Sequence, residues 1–230
     1  MIAGKNLALG MLLSVFAMVP SVTLAEEIAL FVKTSVKPEA RDRYIEAVRK
    51  TLGEARKEAS VRKYDFYQDS SSPDVFYQFQ VWSGEEAHAA HLKRAYSVEI
   101  ADVRKESQAG ESEVIRLVPY GVASKLIQKK DSIGTQNLIV VFEPKEQLKE
   151  EFLSEFDKVI AEARKAVGNL AFELYRSTDP AGKFVLYERW ESPAHYAKHL
   201  ATPYVADFYK HFDAVIDRRE RYFGKDLSAK

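Results

Sequence analysis

The sequence contains no cysteine, which removes disulfides, thiolate nucleophiles, cysteine-ligated metals and lipid anchors on cysteine from consideration. It has no excess of charge either: 34 Lys and Arg balance 34 Asp and Glu. A balanced chain without a basic run has no electrostatic footprint for nucleic acid or anionic lipid, so small molecules or protein are the expected partners. Also missing are a glycine-rich phosphate loop, a dinucleotide-binding fingerprint and a serine nucleophile elbow. No apolar run reaches the roughly 20 residues that a membrane-spanning helix needs.

One apolar run does stand out. Leu7 to Val19 follows Lys5 and stops at Pro20, and small residues at Thr23 and Ala25 suit cleavage before Glu26. That order of a positive start, a short apolar stretch and a small-residue site is the pattern of a secretory signal. Residues 1–25 are therefore expected to be a signal peptide, and the mature chain periplasmic or secreted, with no membrane attachment after cleavage. An uncleaved N-terminal anchor is the alternative. An exported chain without cysteine has only its cores for stability, and 12 Tyr and 13 Phe can fill two small ones.

An internal repeat organises the rest. A shift of 108 positions lays Glu54-Ala55-Arg56-Lys57 on Glu162-Ala163-Arg164-Lys165, Tyr67 on Tyr175, Phe76 on Phe184, Trp82 on Trp190 and His91-Leu92 on His199-Leu200. Both tryptophans of the chain fall in register. The reading is a first domain over 26–120, a linker over 121–136 and a second domain over 137–230.

Each copy opens with an apolar strand, Ile28 to Thr34 or Leu138 to Phe142, with Pro38 or Pro144 at the entry to a helix. Tyr44, Val48, Leu52, Ala55 and Ala59 form an apolar stripe, as do Leu148, Phe152, Phe156, Val159, Ala163 and Val167, spaced as one face of a helix demands. Gly168-Asn169 is expected to stop the second of these helices. Two strands follow in each copy: Tyr64 to Gln68 with Val75 to Trp82, and Leu170 to Arg176 with Lys183 to Trp190. Ser83-Gly84-Glu85-Glu86 reads as a capping box, Ser192-Pro193 as an N-cap with proline at N1, and Thr202-Pro203 as a break and restart of the last helix. A final strand is plausible at Val114 to Val118 and weak at Arg218 to Phe223. The order β-α-β-β-α-β is ferredoxin-like. Such a sheet leaves one face uncovered and apolar, which a second sheet must bury. The expected fold is α+β: two tandem ferredoxin-like domains packed sheet to sheet, an intramolecular pseudo-dimer of the dimeric α+β barrel type.

The segment Tyr187-Glu188-Arg189-Trp190-Glu191-Ser192-Pro193-Ala194-His195-Tyr196-Ala197-Lys198-His199-Leu200-Ala201-Thr202-Pro203 resembles the signature of the antibiotic biosynthesis monooxygenase family, in particular its quinol monooxygenase branch. The pattern is a strand ending in Glu-x-Trp, a helix carrying His-Leu, and a Thr-Pro break. The first repeat keeps Trp82 and His91 but has Gln80 in place of the glutamate and Arg94-Ala95 in place of Thr-Pro, so the second half is expected to be the active one. The resemblance implies cofactor-free oxidation of a quinol or similar small aromatic by O₂, and single-domain members dimerise, which leaves a further homodimer of this chain open. Haem-degrading relatives share the fold, but Tyr209 stands near the place of their histidine and His199 near that of their later tryptophan, which disfavours that activity.

Cofactor-free oxidation needs a base, an apolar pocket that admits an aromatic ring, and exclusion of water. His199 is the candidate base or substrate hydrogen-bond partner, because an imidazole titrates near neutrality; packing beside Trp190 is the plain structural alternative. Glu188 shares a strand face with Trp190 and could fix the His199 tautomer, or pair with Arg176 or Arg189 instead. Trp190, His195, Tyr204, Phe208 and Tyr209 are candidate substrate contacts, although the aromatic residues could equally be core. The His195/His199 and His88/His91 spacings could seat a metal with Glu191, but they match no known metalloenzyme signature, and neither metal nor cofactor is expected. A non-catalytic small-molecule-binding or stress-related barrel is the alternative function.

Overall fold

The computed structural model describes residues 26–121, 134–180 and 182–228. The expected signal peptide and most of the expected linker lie outside these residues.

The first repeat runs β1 (Ile28–Ser35), α1 (Arg41–Ala55), β2 (Val61–Asp69), β3 (Val75–Trp82), α2 (Glu85–Leu92), α3 (Ala95–Ser107) and β4 (Glu113–Pro119). The second runs β5 (Gln136–Pro144), α4 (Lys149–Ala163), β6 (Asn169–Ser177), β7 (Phe184–Trp190), α5 (Pro193–Leu200), α6 (Pro203–Val215) and β8 (Ile216–Asp226). The apolar stripes end where the helices end. Val48, Leu52 and Ala55 are buried in α1, and Phe152, Phe156, Val159 and Ala163 in α4. Ala59 and Val167 lie beyond the helices, and Val167 is 81% exposed. Gly168 therefore does not cap α4. Its positive φ of 82° turns the chain into β6.

All eight strands form one closed antiparallel barrel in the order β1-β3-β2-β8-β5-β7-β6-β4, with β4 returning to β1. Each repeat supplies four adjacent strands in the ferredoxin-like order. The two sheets join at both edges, through Tyr67↔Asp226 to Asp69↔Gly224 on one side and Leu117↔Ser177 to Pro119↔Tyr175 on the other. Closure leaves neither sheet with a free edge. At the first seam a Cβ on Gly224 would stand 2.6 Å from Tyr67 Cβ, so only glycine allows this approach. β8, faint in the sequence because its charges obscure the alternation, is an 11-residue strand paired with β5 along most of its length.

Alternation along the strands sorts side chains into three cores. Residues on the outer face of each sheet pack under that repeat's helices; Phe142, Phe152, Phe156 and Phe212 form one cluster in the second repeat, and Tyr44, Phe66 and Phe76 one in the first. Each fully buried phenyl ring stabilises by about 2–3 kcal/mol. Residues on the inner faces fill the barrel, among them Phe31, Phe79, Tyr67, Tyr187 and Tyr175. The interior is not wholly apolar, as the sequence suggested. Lys63 and Glu173 meet there at 2.9 Å, and Arg189 lies 3.0 Å from Asp226. Tyr187 donates its hydroxyl hydrogen bond to Asp65. Burial opposes ionisation of Asp65, but Arg189 and Lys63 hold its carboxyl below the usual range.

Candidate active site in the second repeat

β7 ends Tyr187-Glu188-Arg189-Trp190, and its pleat sends Tyr187 and Arg189 into the barrel and Glu188 and Trp190 toward the helices. The Trp190 indole N–H donates to Glu188 Oε1 at 2.6 Å. Ser192 caps α5, its hydroxyl oxygen accepting the His195 N–H at 3.3 Å. That cap fixes the phase of α5, so His199 in its last turn faces the sheet and stacks on Trp190, with ring centroids 4.5 Å apart. Pro203 prevents α5 from continuing and starts α6. The kink brings the Tyr204 hydroxyl to 2.8 Å from His199 Nδ1. The other nitrogen of the ring, Nε2, lies 3.7 Å from Glu188 Oε1.

Both titratable groups are buried, and burial moves them in opposite directions. It penalises the carboxylate and pushes Glu188 up to about 7; it penalises the imidazolium and pushes His199 down to about 4. Near neutrality His199 is therefore neutral, while Glu188 exchanges its proton readily.

A cavity of about 40 Å³ lies between the outer face of the sheet and α5–α6, with Glu188, His199, Phe172, Val205 and Phe208 among its lining. Tyr196, Tyr209 and Arg221 also line it and are partly or fully exposed, so they form its mouth. As it stands the cavity is large enough for water but smaller than the roughly 150 Å³ space that accepts a benzene ring.

The first repeat serves as an internal comparison. Its Trp82 N–H donates to Gln80 at 3.1 Å, Gln80 to Gln78 at 3.2 Å, and Gln78 is met by Tyr64 and Tyr44 at 3.0 and 3.2 Å. Glu188, Leu186, Phe172 and Phe152 hold the corresponding places in the second repeat. A hydrogen-bonded chain thus occupies the layer that is apolar in the second copy. His91 is also spoken for: its Nδ1 is 2.8 Å from Glu58, where the second repeat has Ala166.

The model of the antibiotic biosynthesis monooxygenase family matches this chain twice, over residues 28–102 and 136–211, more than half of its length. The chain belongs to the antibiotic biosynthesis monooxygenase family. Among solved structures, a Fusobacterium nucleatum protein provisionally named a monooxygenase is 18% identical with a TM-score of 0.82, the match covering 88% of this chain and 93% of that one. A similarly named Lactobacillus acidophilus protein is 15% identical with a TM-score of 0.77, covering 88% and 94%. An anthrone oxidase-like protein is 14% identical with a TM-score of 0.62, covering 87% and 91%. At these identities the likeness is one of fold: a tandem pair of family domains in a single chain. No curated protein matches the sequence.

Within this family domain the structure gathers Glu188, Trp190, His199, Tyr204, Phe208 and Tyr209 around one cavity or in contact with its lining. His195 is not among them. Its Nδ1 lies 3.0 Å from the Ser192 hydroxyl and its ring packs over Gly168, although it shares a helix face with His199 one turn on. Glu188 pairs with neither Arg176 nor Arg189: the former is exposed and the latter points into the barrel. The expected Ser83 capping box does not form either; Gly84 is the N-cap and no side chain caps α2. Tyr196, Arg219 and Arg221 were not singled out from the sequence. Tyr196 comes to the cavity with α5, whereas the place of Arg219 and Arg221 follows from the pairing of β8 with β5, which no local pattern encodes.

Proposed function

We propose that this family member is an exported, cofactor-independent monooxygenase that oxidises a quinol or similar electron-rich small aromatic with O₂ in the cavity of the second repeat. The observation that carries the proposal is the pairing of a buried carboxyl titrating near neutrality with a neutral imidazole, at the wall of an apolar, aromatic-lined cavity.

The two groups divide the work differently from the sequence expectation. A histidine held down to about 4 is a weak acceptor for a phenolic proton, whereas Glu188, at about 7, is matched to the operating pH. Glu188 is the base. His199, held by Tyr204 and stacked on Trp190, orients the substrate hydroxyl toward it. Removal of the proton raises the reducing power of the ring, which passes electrons to O₂. One oxygen atom enters the ring and the other leaves as water, so that quinol and O₂ yield hydroxyquinone and water in balance, with all electrons supplied by the substrate. An aromatic ring enters only if Tyr196 and Tyr209 swing outward at the mouth, and their closure over it would exclude water.

The test is O₂ consumption by the metal-free mature chain with a panel of reduced quinols and polyphenols. Turnover above the autoxidation blank, at least about tenfold lower in Glu188→Gln and His199→Ala, is the expected result. No turnover across the panel would overturn the proposal. Thermal stabilisation by ligands in that case would instead identify a binding module.

A further inference from the structure

The cavity has a charged rim on β8, two strands across the sheet from Glu188. Arg219 and Arg221 sit two residues apart on β8, on the face that β8 turns toward the helices, and both line the cavity. Neither is well satisfied. Arg221 is exposed, and its one hydrogen bond among the described residues is to the Tyr209 hydroxyl at 3.5 Å. Arg219 is ion-paired with Asp213 at 3.4 Å and lies over the Tyr209 ring at 5.7 Å, but its buried Nη1 makes no hydrogen bond among the described residues. Guanidinium groups with hydrogen-bonding capacity to spare beside an apolar cavity are suited to holding a planar anion.

The internal repeat shows that these cations are not part of the basic fold. Register pairs Val140 with Arg221 in the second copy and the equivalent Val32 with Val114 in the first. One pleat along, Arg219 corresponds to Ser112, which is bonded to Thr34 at 2.9 Å. The two arginines thus occur only in the copy that also has the glutamate, the apolar lining and the cavity. Strand order sets their distance from the base. β5 lies between β7 and β8, so Glu188 and Arg221 stand on strands on the order of 10 Å apart. An aromatic ring lying across β5 would therefore have one end toward Glu188 and the other toward the arginines.

We infer that the natural substrate is an anionic aromatic, a phenol or quinol bearing a carboxylate, whose hydroxyl meets Glu188 and His199 while its acidic group is held at the rim by Arg221 and Arg219. The inference rests on the proposed use of this cavity as the substrate site, and it narrows the substrate class.

The test compares binding of 4-hydroxybenzoate and its neutral isostere 4-hydroxybenzamide to the mature chain by calorimetry, with no turnover involved. The carboxylate is expected to bind at least about tenfold more tightly at low salt and to lose that preference at high salt. The ratio should fall toward one in Arg219→Gln/Arg221→Gln, persist in part in Arg221→Lys, and stay unchanged in Arg176→Gln, an exposed arginine elsewhere. Arg221→Gln alone, at an exposed position, serves if the double variant does not fold. Equal affinity for the two ligands, binding of neither, or a preference indifferent to these substitutions would overturn the inference. Oxygen uptake judges the oxidase reading separately: quinol turnover without charge preference leaves that reading standing, and charge-selective binding without turnover leaves this one.

Discussion

The ammonium of Lys63, on β2 of the first repeat, lies 2.9 Å from the carboxylate of Glu173, on β6 of the second, with both side chains under a tenth exposed. It also sits 3.7 Å above the Tyr187 ring, and Glu173 accepts a second hydrogen bond, from Tyr175 at 2.6 Å. The two halves of the barrel are therefore joined across its interior by a desolvated ion pair, besides the short seams at its edges. Removing one partner strands the other. Lys63→Met is expected to cost about 3–5 kcal/mol, and Lys63→Met/Glu173→Leu clearly less than the sum of the single losses. Urea unfolding of the four proteins in the cycle measures this; additive losses would show the pair to be independent.

Stability should respond to pH in a way that reveals Glu188 and His199 separately. The folded pKa of Glu188, about 7, is above its unfolded value, so the native state holds the extra proton and stability falls as pH rises from about 4.5 to 7. The folded pKa of His199, about 4, is below its unfolded value, so stability falls as pH drops from about 6.5 to 4. His88, also held near 4 by burial, adds to the second trend. The effects oppose each other in the shared window and flatten the wild-type profile. In Glu188→Gln the opposing carboxyl effect is lost while the histidine effects and the other shifted carboxyls stay as they were, and stability should decline more steeply toward acid than in the wild type. An unchanged profile in that variant would rule out the raised carboxyl.

The same carboxyl sets the expected pH dependence of turnover. With Glu188 as base, kcat/KM rises as pH increases through about 7 and levels off above it, since only the carboxylate can take the proton. His91→Ala, in the copy whose layer is filled by glutamines, should leave the profile and the rate within about twofold. A tenfold loss there would move the site to the first repeat.

Gly168 is favoured over any other residue for two independent reasons. Its φ is +82°, and a Cβ would lie 2.3 Å from Cγ of His195. Gly168→Ala should cost about 1–3 kcal/mol and lower Tm by several degrees, with part of the loss recovered when His195 is shortened to alanine. No recovery would place the whole penalty in the backbone.

Converting the apolar layer into the polar one tests what keeps the cavity usable. Leu186→Gln with Phe172→Tyr places the first repeat's Gln78 and Tyr64 in the second. Ligand binding by calorimetry should fall at least about tenfold while the fold persists, because a self-satisfied hydrogen-bonded chain no longer favours an apolar ring. Undiminished binding would show that ligands do not use this layer.

Much of this architecture is legible along the chain. The 108-residue repeat, both helix stripes, the Ser192 and Thr202 breaks and the Glu188–Trp190 pair on one strand face are local patterns, and local patterns follow from the periods of helix and strand. The order of elements then leads to two ferredoxin-like sheets needing cover. What the linear pattern could not contain depends on pairing between residues far apart. The edge-to-edge closure of the barrel and the ion pairs in an interior expected to be apolar arise when the two repeats meet, and the length of β8 and the arrival of Arg219 and Arg221 at the cavity lined by Glu188 arise from the pairing of β8 with β5. The proposed exchange of roles between His199 and Glu188 belongs there too. Residue types give the ordinary titration of a histidine or a glutamate, but desolvation reverses which of them can accept a proton at neutral pH, and only the packed tertiary structure sets that desolvation.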